Sequence, residues 1–204
     1  MKTIISLFDH SGNWSQPYVD QATTSGDYDV YRFDIKDSLD ILKFDCEYLL
    51  ETWGFSGAGD SKVHGILAAC PCTDFASSGA WTWPAKDADG RTEQSIELVN
   101  QVLRCVELFG PEWWCVENPV GRLPTLIPEL GRPWYFNPCD FGDPYTKKTG
   151  LWGDFNVQGL EDRKTPVEPT DNWLMQLGGK SERTKELRSV TPPGFSNAWF
   201  QANP

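Results

Sequence analysis

Four short runs rich in apolar residues, each ending in or followed by polar or reactive residues, constrain the fold of this chain most strongly. They are TIISLF at residues 3–8, VYRFDI at 30–35, HGILAAC at 64–70 and WWCVEN at 113–118. Short runs of this kind, bounded by turn residues, are typical of buried strands. We therefore predict four strands, each with polar groups at its carboxyl end.

Segments with helical periodicity lie between these runs. Residues 92–109 carry apolar side chains at helical spacing, and Gly110 would end that helix. A second helix is predicted over 44–53, ending at Gly54, and a short one over 181–188. The alternation of strands and helices indicates βαβ units, so we predict an α/β fold. It would be Rossmann-like, with a mainly parallel sheet and helices on both faces.

The 204 residues are expected to form one domain, because division would leave two small units. Residues 122–155 are rich in Pro, Gly and aromatic residues, which predicts loops and short strands. The final segment, 190–204, is apolar for a terminus and is expected to dock on the body. With neither a signal peptide nor a membrane-spanning run in the sequence, we expect a cytoplasmic protein.

The charge balance argues against unspecific attraction to nucleic acid. There are 18 Lys and Arg residues against 29 Asp and Glu residues, which gives a net charge of -11. A nucleic-acid partner would therefore need a local basic patch. The densest group of basic residues comprises Arg163, Lys164, Lys180, Arg183, Lys185 and Arg188. A solvated helical face of mixed charge is the alternative interpretation of this group.

Cys72 and Glu117 are the strongest candidates for chemistry. A thiol in the loop after a parallel strand lies near helix N-termini, where we expect a lowered pKa and a reactive thiolate. Glu117 ends an otherwise apolar strand, so desolvation should raise its pKa and let it hold a proton near neutral pH. Because ligands bind at the carboxyl ends of parallel strands, both should face one crevice. Together they could activate a heteroaromatic ring, the sulfur adding to carbon while the acid neutralises a ring nitrogen.

The cysteines allow two further interpretations. In a cytoplasmic protein they are expected to be free thiols, and most free thiols are inert core residues, as expected for Cys46, Cys105 and Cys115. A zinc site could combine Cys70 and Cys72 with Cys115 or Cys139. The spacing is not that of the usual zinc-binding pairs, however, so no metal is predicted.

Four segments carry a resemblance to a known enzyme family. They are LFDHSGNWS at residues 7–15, ACPCTDFASSG at 69–79, WCVENP at 114–119 and TPPGFSNAWFQANP at 191–204. In this order they resemble the signature segments of DNA cytosine-5 methyltransferases, most closely the short, phage-like members. The resemblance implies a Rossmann-like fold that binds S-adenosylmethionine and methylates carbon 5 of cytosine in DNA.

The resemblance also implies roles for individual residues. Cys72 would attack carbon 6 of cytosine, Glu117 would contact ring nitrogen 3 and the exocyclic amine, and Asn118 would orient the Cys72 loop. In duplex DNA the base would first be flipped out of the stack. The residues implied to bind S-adenosylmethionine are Phe8, Ser11, Gly12, Trp14 and Pro71, with Asp34 near the ribose hydroxyls and Asp40 near the adenine amino group.

Several positions depart from the family pattern. His10 stands where the family usually has Gly, and Pro119 follows Glu-Asn where Val is usual. The usual Gln-x-Arg-x-Arg segment is replaced by YTKKTGLWG at residues 145–153. Lys148 or its neighbour Lys147 would then replace an Arg near the target base, and an exposed lysine pair is the alternative.

The largest departure is the target-recognition region, which is reduced here to residues 156–189. We expect a small DNA contact and short or relaxed sequence specificity. Trp81 and Trp83, in the loop after Cys72, could close over the extruded base, with core packing as the alternative. A free cytosine nucleotide or single-stranded nucleic acid remains an alternative substrate. A non-catalytic relative that binds cofactor or DNA is disfavoured, because it would need neither Cys72 nor Glu117.

Overall fold

A six-stranded sheet forms the centre of the molecule. The structure, a computed structural model, describes residues 1–43, 63–171, 173, 177 and 181–204. The strands are β1 (Lys2–Leu7), β2 (Tyr28–Phe33), β3 (Val63–Ala68), β4 (Trp113–Pro119), β5 (Trp134–Phe136) and β6 (Thr149–Asp154), in the order β2-β1-β3-β4-β6-β5. The first four therefore match the four predicted strands to within two residues at each end.

The strand directions show that the sheet is mixed rather than mainly parallel. β2, β1, β3 and β4 are parallel neighbours, whereas β6 runs antiparallel to both β4 and β5. A parallel connection needs a crossover of a dozen or more residues, usually a helix. Between β5 and β6 the regular structure is one 3-10 turn, Pro138–Phe141, so the chain returns in the opposite direction. The α/β class is supported, and the predicted strand direction is wrong for this half of the sheet.

The helices lie between and after the strands. They are α1 (Gln16–Ser25), α2 (Trp83–Ala88), α3 (Arg91–Phe109), α4 (Leu123–Leu126), α5 (Val157–Glu161), α6 (Glu182–Ser189) and α7 (Pro193–Ala202). α3 and α6 agree with the predicted helices, whereas the helix predicted over 44–53 lies outside the described residues. Within the part of the chain that is described, no helix is long and apolar enough to cross a membrane.

Apolar layers cover both faces of the sheet. On one face, α3 buries Val99, Val102, Cys105 and Phe109, which recur every three or four residues and so share one side of the helix. Gly110 ends the helix in the left-handed conformation, with φ 53°. On the other face, aromatic side chains dominate, and most of them come from β2, β4, β5, α1 and α7.

The C-terminal helix α7 supplies much of this second layer. Trp199 is fully buried, with its ring 5.4 Å from Trp14 and 5.7 Å from Trp113. Phe195 stacks on Phe136 of β5, with centroids 4.0 Å apart. The helix therefore joins α1, the parallel strands and the antiparallel edge in one core.

We expect Trp199→Ala to lower the free energy of unfolding by about 3–5 kcal/mol, because the lost ring leaves a cavity among packed aromatic side chains. Urea denaturation would measure the change. Gln201→Ala, at an exposed position of the same helix, is the control and should change the free energy by less than about 0.5 kcal/mol. Equal losses in the two variants would contradict the assigned role of the ring.

Candidate active site

The carboxyl ends of four parallel strands meet along one edge of the sheet. Phe8 follows β1, Asp34 follows β2, Cys72 lies in the loop after β3, and Glu117 and Asn118 end β4. Since neighbouring strands are about 4.8 Å apart, the ends of β2 and β4 are separated by about 14 Å. The candidate residues for cofactor and substrate therefore lie along one edge, as the strand pattern predicts.

Cys72 lies in the electrostatic field of Glu117 and Lys147. Burial raises the pKa of its thiol, the charge of Lys147 lowers it, and the charge of Glu117 raises it again. Charges affect a pKa this way only when the groups are close together. The structure thus places Cys72 and Glu117 near one another, at the carboxyl ends of the neighbouring strands β3 and β4. The expected lowering of the Cys72 pKa is wrong, because loss of water outweighs the nearby positive charge.

The Glu117 carboxyl has the raised pKa that its position in β4 suggests. Glu117 is partly exposed at the carboxyl end of β4, yet burial by the surrounding protein raises the pKa of its carboxyl. Lys147 acts in the opposite direction and favours the carboxylate. Glu117 is therefore a better proton carrier near neutral pH than an exposed glutamate.

Asn118 ties the Cys72 loop to β4. It is fully buried, and its side-chain amide donates a hydrogen bond of 2.9 Å to the carbonyl of Cys70. The carbonyl of Cys72 in turn accepts from the amides of Phe75 and Ala76, at 3.0 and 2.9 Å. The loop is thus held at both ends, in agreement with an orienting role for Asn118.

Asp9 organises the loop after β1, a role that no sequence pattern indicates. This carboxylate is 4% exposed and accepts hydrogen bonds from the hydroxyl of Ser6 and from the amide and hydroxyl of Ser15. Phe8 has φ 60°, an unusual conformation for a bulky side chain and one found mainly at functional sites. Gly12 also has a positive φ, and a Cβ there would collide with the guanidinium of Arg32.

His10 and Ser11 of this loop face a cleft of about 380 Å³. Its other lining residues belong to α6 and the turn after it: Arg183, Glu186, Leu187, Ser189 and Val190. Nδ1 of His10 also lies 3.2 Å from Oδ2 of Asp37, beyond β2. The imidazole that replaces the usual Gly therefore links the ends of β1 and β2.

Trp14 does not lie in this cleft. Its side chain is fully buried and packs against Phe195 and Trp199 of α7. The Trp14 ring therefore offers no surface to S-adenosylmethionine in this structure, because its contacts with α7 hold it in the core. A single sequence could not distinguish a core Trp from a ligand-binding one at this position.

The two aspartates after β2 differ in their surroundings. Asp34 is partly exposed, and Oδ1 accepts a hydrogen bond of 2.8 Å from the amide of Lys36. Asp40 instead accepts from the amide of Leu42 through Oδ1 and pairs with Lys43 through Oδ2, at 3.1 and 3.3 Å. Asp34 is thus more available to a ligand than Asp40.

The two neighbouring lysines point to different partners. Lys147 donates to the carbonyl of Arg188 at 2.9 Å, and its charge acts on Cys72 and Glu117. Nζ of Lys148 lies 4.8 Å from the centre of the Tyr135 ring. Of the two lysines, Lys147 is therefore the one whose charge acts on Cys72 and Glu117, because consecutive residues project in different directions.

The cysteines that the structure describes do not form a group of three metal ligands. Cys70, Cys72, Cys105, Cys115 and Cys139 form no disulfide, and Cys46 lies outside the described residues. Among the residues described, the only His, Cys, Asp or Glu group with three ligand atoms within 4.8 Å of one another is His10, Asp34 and Asp37. Cysteines are absent from that group.

The remaining candidates for nucleic-acid contact divide into exposed and packed side chains. Trp81 is 75% exposed, whereas the ring of Trp83 stacks under the guanidinium of Arg122 at 4.7 Å.

In the predicted basic group, Lys164 pairs with Glu161 at 2.8 Å. Other members, Arg183, Lys185 and Arg188, lie on α6, and Lys180 lies outside the described residues. Pro71 is exposed at the start of the Cys72 loop.

Comparisons with known proteins found a solved structure with a similar architecture. No protein-family model and no curated protein matches the chain. A similar solved structure is that of a protein encoded within an E. coli prophage and provisionally described as a DNA modification methyltransferase. The two are 17% identical with a TM-score of 0.51, over 89% of this chain and 56% of the other, so this chain spans little more than half its length. The likeness shows a shared α/β fold.

Proposed function

We propose that this chain transfers a methyl group from S-adenosylmethionine to carbon 5 of cytosine in DNA, through a covalent bond between Cys72 and carbon 6. The observation that carries the proposal is that Cys72 and Glu117 lie at the carboxyl ends of the neighbouring parallel strands β3 and β4, where Asn118 bonds to the Cys72 loop. A thiol and a protonatable carboxyl near one another are the groups that addition to cytosine requires. The fold shared with a protein described as a DNA modification methyltransferase adds support.

Cys72 and Glu117 have complementary roles in this reaction. The thiol gives its proton to water and the sulfur adds to carbon 6, while the proton of Glu117 moves to nitrogen 3. Carbon 5 thereby becomes nucleophilic and accepts the methyl group. A base or water then removes the proton at carbon 5, the electrons of that bond expel the sulfur of Cys72, and the proton on nitrogen 3 returns to Glu117. Lys147 favours the thiolate, since its charge lowers the pKa of the thiol.

The loop after β1 and the residues after β2 carry polar and apolar groups suited to binding S-adenosylmethionine. When bound, the cofactor supplies a methyl group activated by a positively charged sulfur. Ser11 would present polar groups beside the cleft, and Asp34 offers a carboxylate to the ribose hydroxyls. Gly12 is buried, and its amide and carbonyl already have partners, so it would act by shaping the loop. Ile35 is 69% exposed next to Asp34 and offers an apolar surface to the adenine ring. Asp40 is left out of this proposal, because both of its carboxylate oxygens already have local partners.

DNA is the proposed substrate, with the target base flipped into the pocket. α6, which borders the cleft, carries three basic and two acidic residues, so it supplies a small local excess of positive charge on a chain of net charge -11. Residues 156–189 would act as a reduced recognition segment. The net charge favours a second candidate, a free cytosine nucleotide or a single strand, because fewer phosphates need to be neutralised.

Cys72→Ala should abolish methyl transfer and leave S-adenosylmethionine binding unchanged, because only the nucleophile is lost. Incubation with tritiated S-adenosylmethionine and, in parallel, duplex DNA, single-stranded DNA and dCMP measures transfer and identifies the substrate. Cys139→Ala, which removes another partly exposed thiol, is the control and should stay active. Undiminished transfer by the Cys72 variant would disprove the covalent mechanism.

Glu117→Gln should reduce turnover by roughly 10²–10⁴-fold, because glutamine cannot give up a proton to the ring. Steady-state kinetics at saturating substrate measures the change. The matched control is Glu129→Gln at an exposed position, which should leave turnover unaltered. A Glu117 variant as fast as the parent would refute its role as the acid.

Lys147→Gln should lower turnover by about tenfold, because the nearby charge that favours the Cys72 thiolate is removed. Lys148→Gln provides the comparison, since its amine lies against the Tyr135 ring. Turnover of both variants is measured under the same conditions as for the parent. The reverse ranking of the two variants would restore Lys148 to the reacting centre.

A further inference from the structure

The loop that carries Cys72 is held through its own backbone carbonyls. The carbonyl of Thr73 accepts a hydrogen bond from the amine of Lys86. The carbonyl of Asp74 accepts from Nε of Arg122 at 2.9 Å, and that of Phe75 accepts from the backbone amide of Arg122 at 3.0 Å. Three successive carbonyls after Cys72 are therefore bound by only two residues, which come from different elements.

Lys86 approaches the loop from α2 and is buried together with its partner. Lys86 is 6% exposed and Asp74 is 8% exposed, with the amine 3.1 Å from Oδ1 of the carboxylate. The other carboxylate oxygen accepts a hydrogen bond of 2.6 Å from the hydroxyl of Ser95 on α3. Burial of an ion pair contributes little net stability, but removal of one partner leaves an uncompensated charge. The pair therefore fixes a geometry more than it stabilises the fold.

Arg122 approaches the same loop from the segment after β4. Its guanidinium also reaches Asp87 at 2.9 Å and the hydroxyl of Thr92 at 2.8 Å, and it lies over the ring of Trp83. These contacts use the planar, forked set of donors that distinguishes arginine from lysine. Arg122 thus connects the Cys72 loop to α2, α3 and the end of β4 at once.

Resting on the function proposed above, we propose that Lys86 and Arg122 are positioning residues, which hold the Cys72 loop so that the sulfur meets carbon 6 of the base. Nucleophilic attack requires the reacting atoms to be about 3–3.5 Å apart, and misplacement by 1 Å can cost on the order of 10²-fold in rate. Neither residue belongs to the cofactor cleft. Their loss should therefore affect turnover rather than cofactor binding.

Two variants and one control test this proposal. Arg122→Lys keeps the positive charge but loses the fork, whereas Lys86→Met combined with Asp74→Asn frees the carbonyl of Thr73 without leaving a buried charge. Arg91→Lys makes the same exchange at an exposed arginine that pairs with Asp89 on the surface. All variants are made in the full chain.

Two measurements are made on each protein. The first is turnover with tritiated S-adenosylmethionine, together with the KM for this cofactor. The second is the rate at which iodoacetamide alkylates each cysteine, followed by peptide mass mapping. The buried thiols of Cys105 and Cys115 report global unfolding, because both are fully buried.

We expect turnover to fall by about tenfold to 100-fold in both loop variants, with little change in the KM for S-adenosylmethionine. Alkylation of Cys72 should become several-fold faster in the same variants, because a released loop exposes the thiol. Cys105 and Cys115 should stay protected, and Arg91→Lys should match the parent in every measurement.

The proposal is overturned if turnover or Cys72 alkylation stays at the parental level in both loop variants. It is also overturned if Cys105 and Cys115 become reactive together with Cys72, since the two residues would then serve only the stability of the fold. If the parent protein methylates none of the three substrates, the proposed function fails. Alkylation then decides by itself whether Lys86 and Arg122 hold the loop.

Discussion

The proposed chemistry depends on the burial of Cys72 and Glu117 at the carboxyl ends of β3 and β4. Burial raises the pKa of both Cys72 and Glu117, so each group retains its proton more readily than it would in water. A retained proton suits an acid and hinders a nucleophile. Lys147 offsets part of this effect, because its charge favours the ionised form of both groups. The proposed attack by Cys72 therefore depends on Lys147, which lies outside the parallel strands.

The antiparallel half of the sheet therefore contributes to the candidate site as well as to the fold. The segment before β6 brings Lys147 to the reacting groups, and β6 itself pairs with β4, where Leu151 lies opposite Glu117. The same lysine donates to the carbonyl of Arg188 in α6, which lines the cleft beside the first loop. Lys147 therefore links the proposed substrate site, around Cys72 and Glu117, to the proposed cofactor cleft. The buried network around Lys86 and Arg122 holds the Cys72 loop from the other side.

Much of the parallel half of the molecule can be predicted from the sequence, because it depends on local patterns. The apolar runs gave β1 to β4 to within two residues, and the helical spacing of buried side chains gave α3. α1 was not predicted, since Tyr18 is its one fully buried residue and no apolar stripe marks it. α7 was not predicted either, because Pro192 at its N-cap and Pro193 at its first position are typical of a loop, although Phe195, Ala198, Trp199 and Ala202 recur at helical spacing.

The sequence alone determined that Cys72, Asp34 and Glu117 follow or end strands, and hence that they lie at one edge, because parallel strands share their direction. Only the tertiary structure decided which side chains face that edge. Tertiary packing buries Trp14 in the core against α7, and burial raises the pKa of Cys72. It also brings the charge of Lys147 to Cys72, whereas the amine of Lys148 lies against the Tyr135 ring. These properties depend on desolvation and on contacts between segments far apart in the chain. Such interactions have no local periodicity from which they could be read.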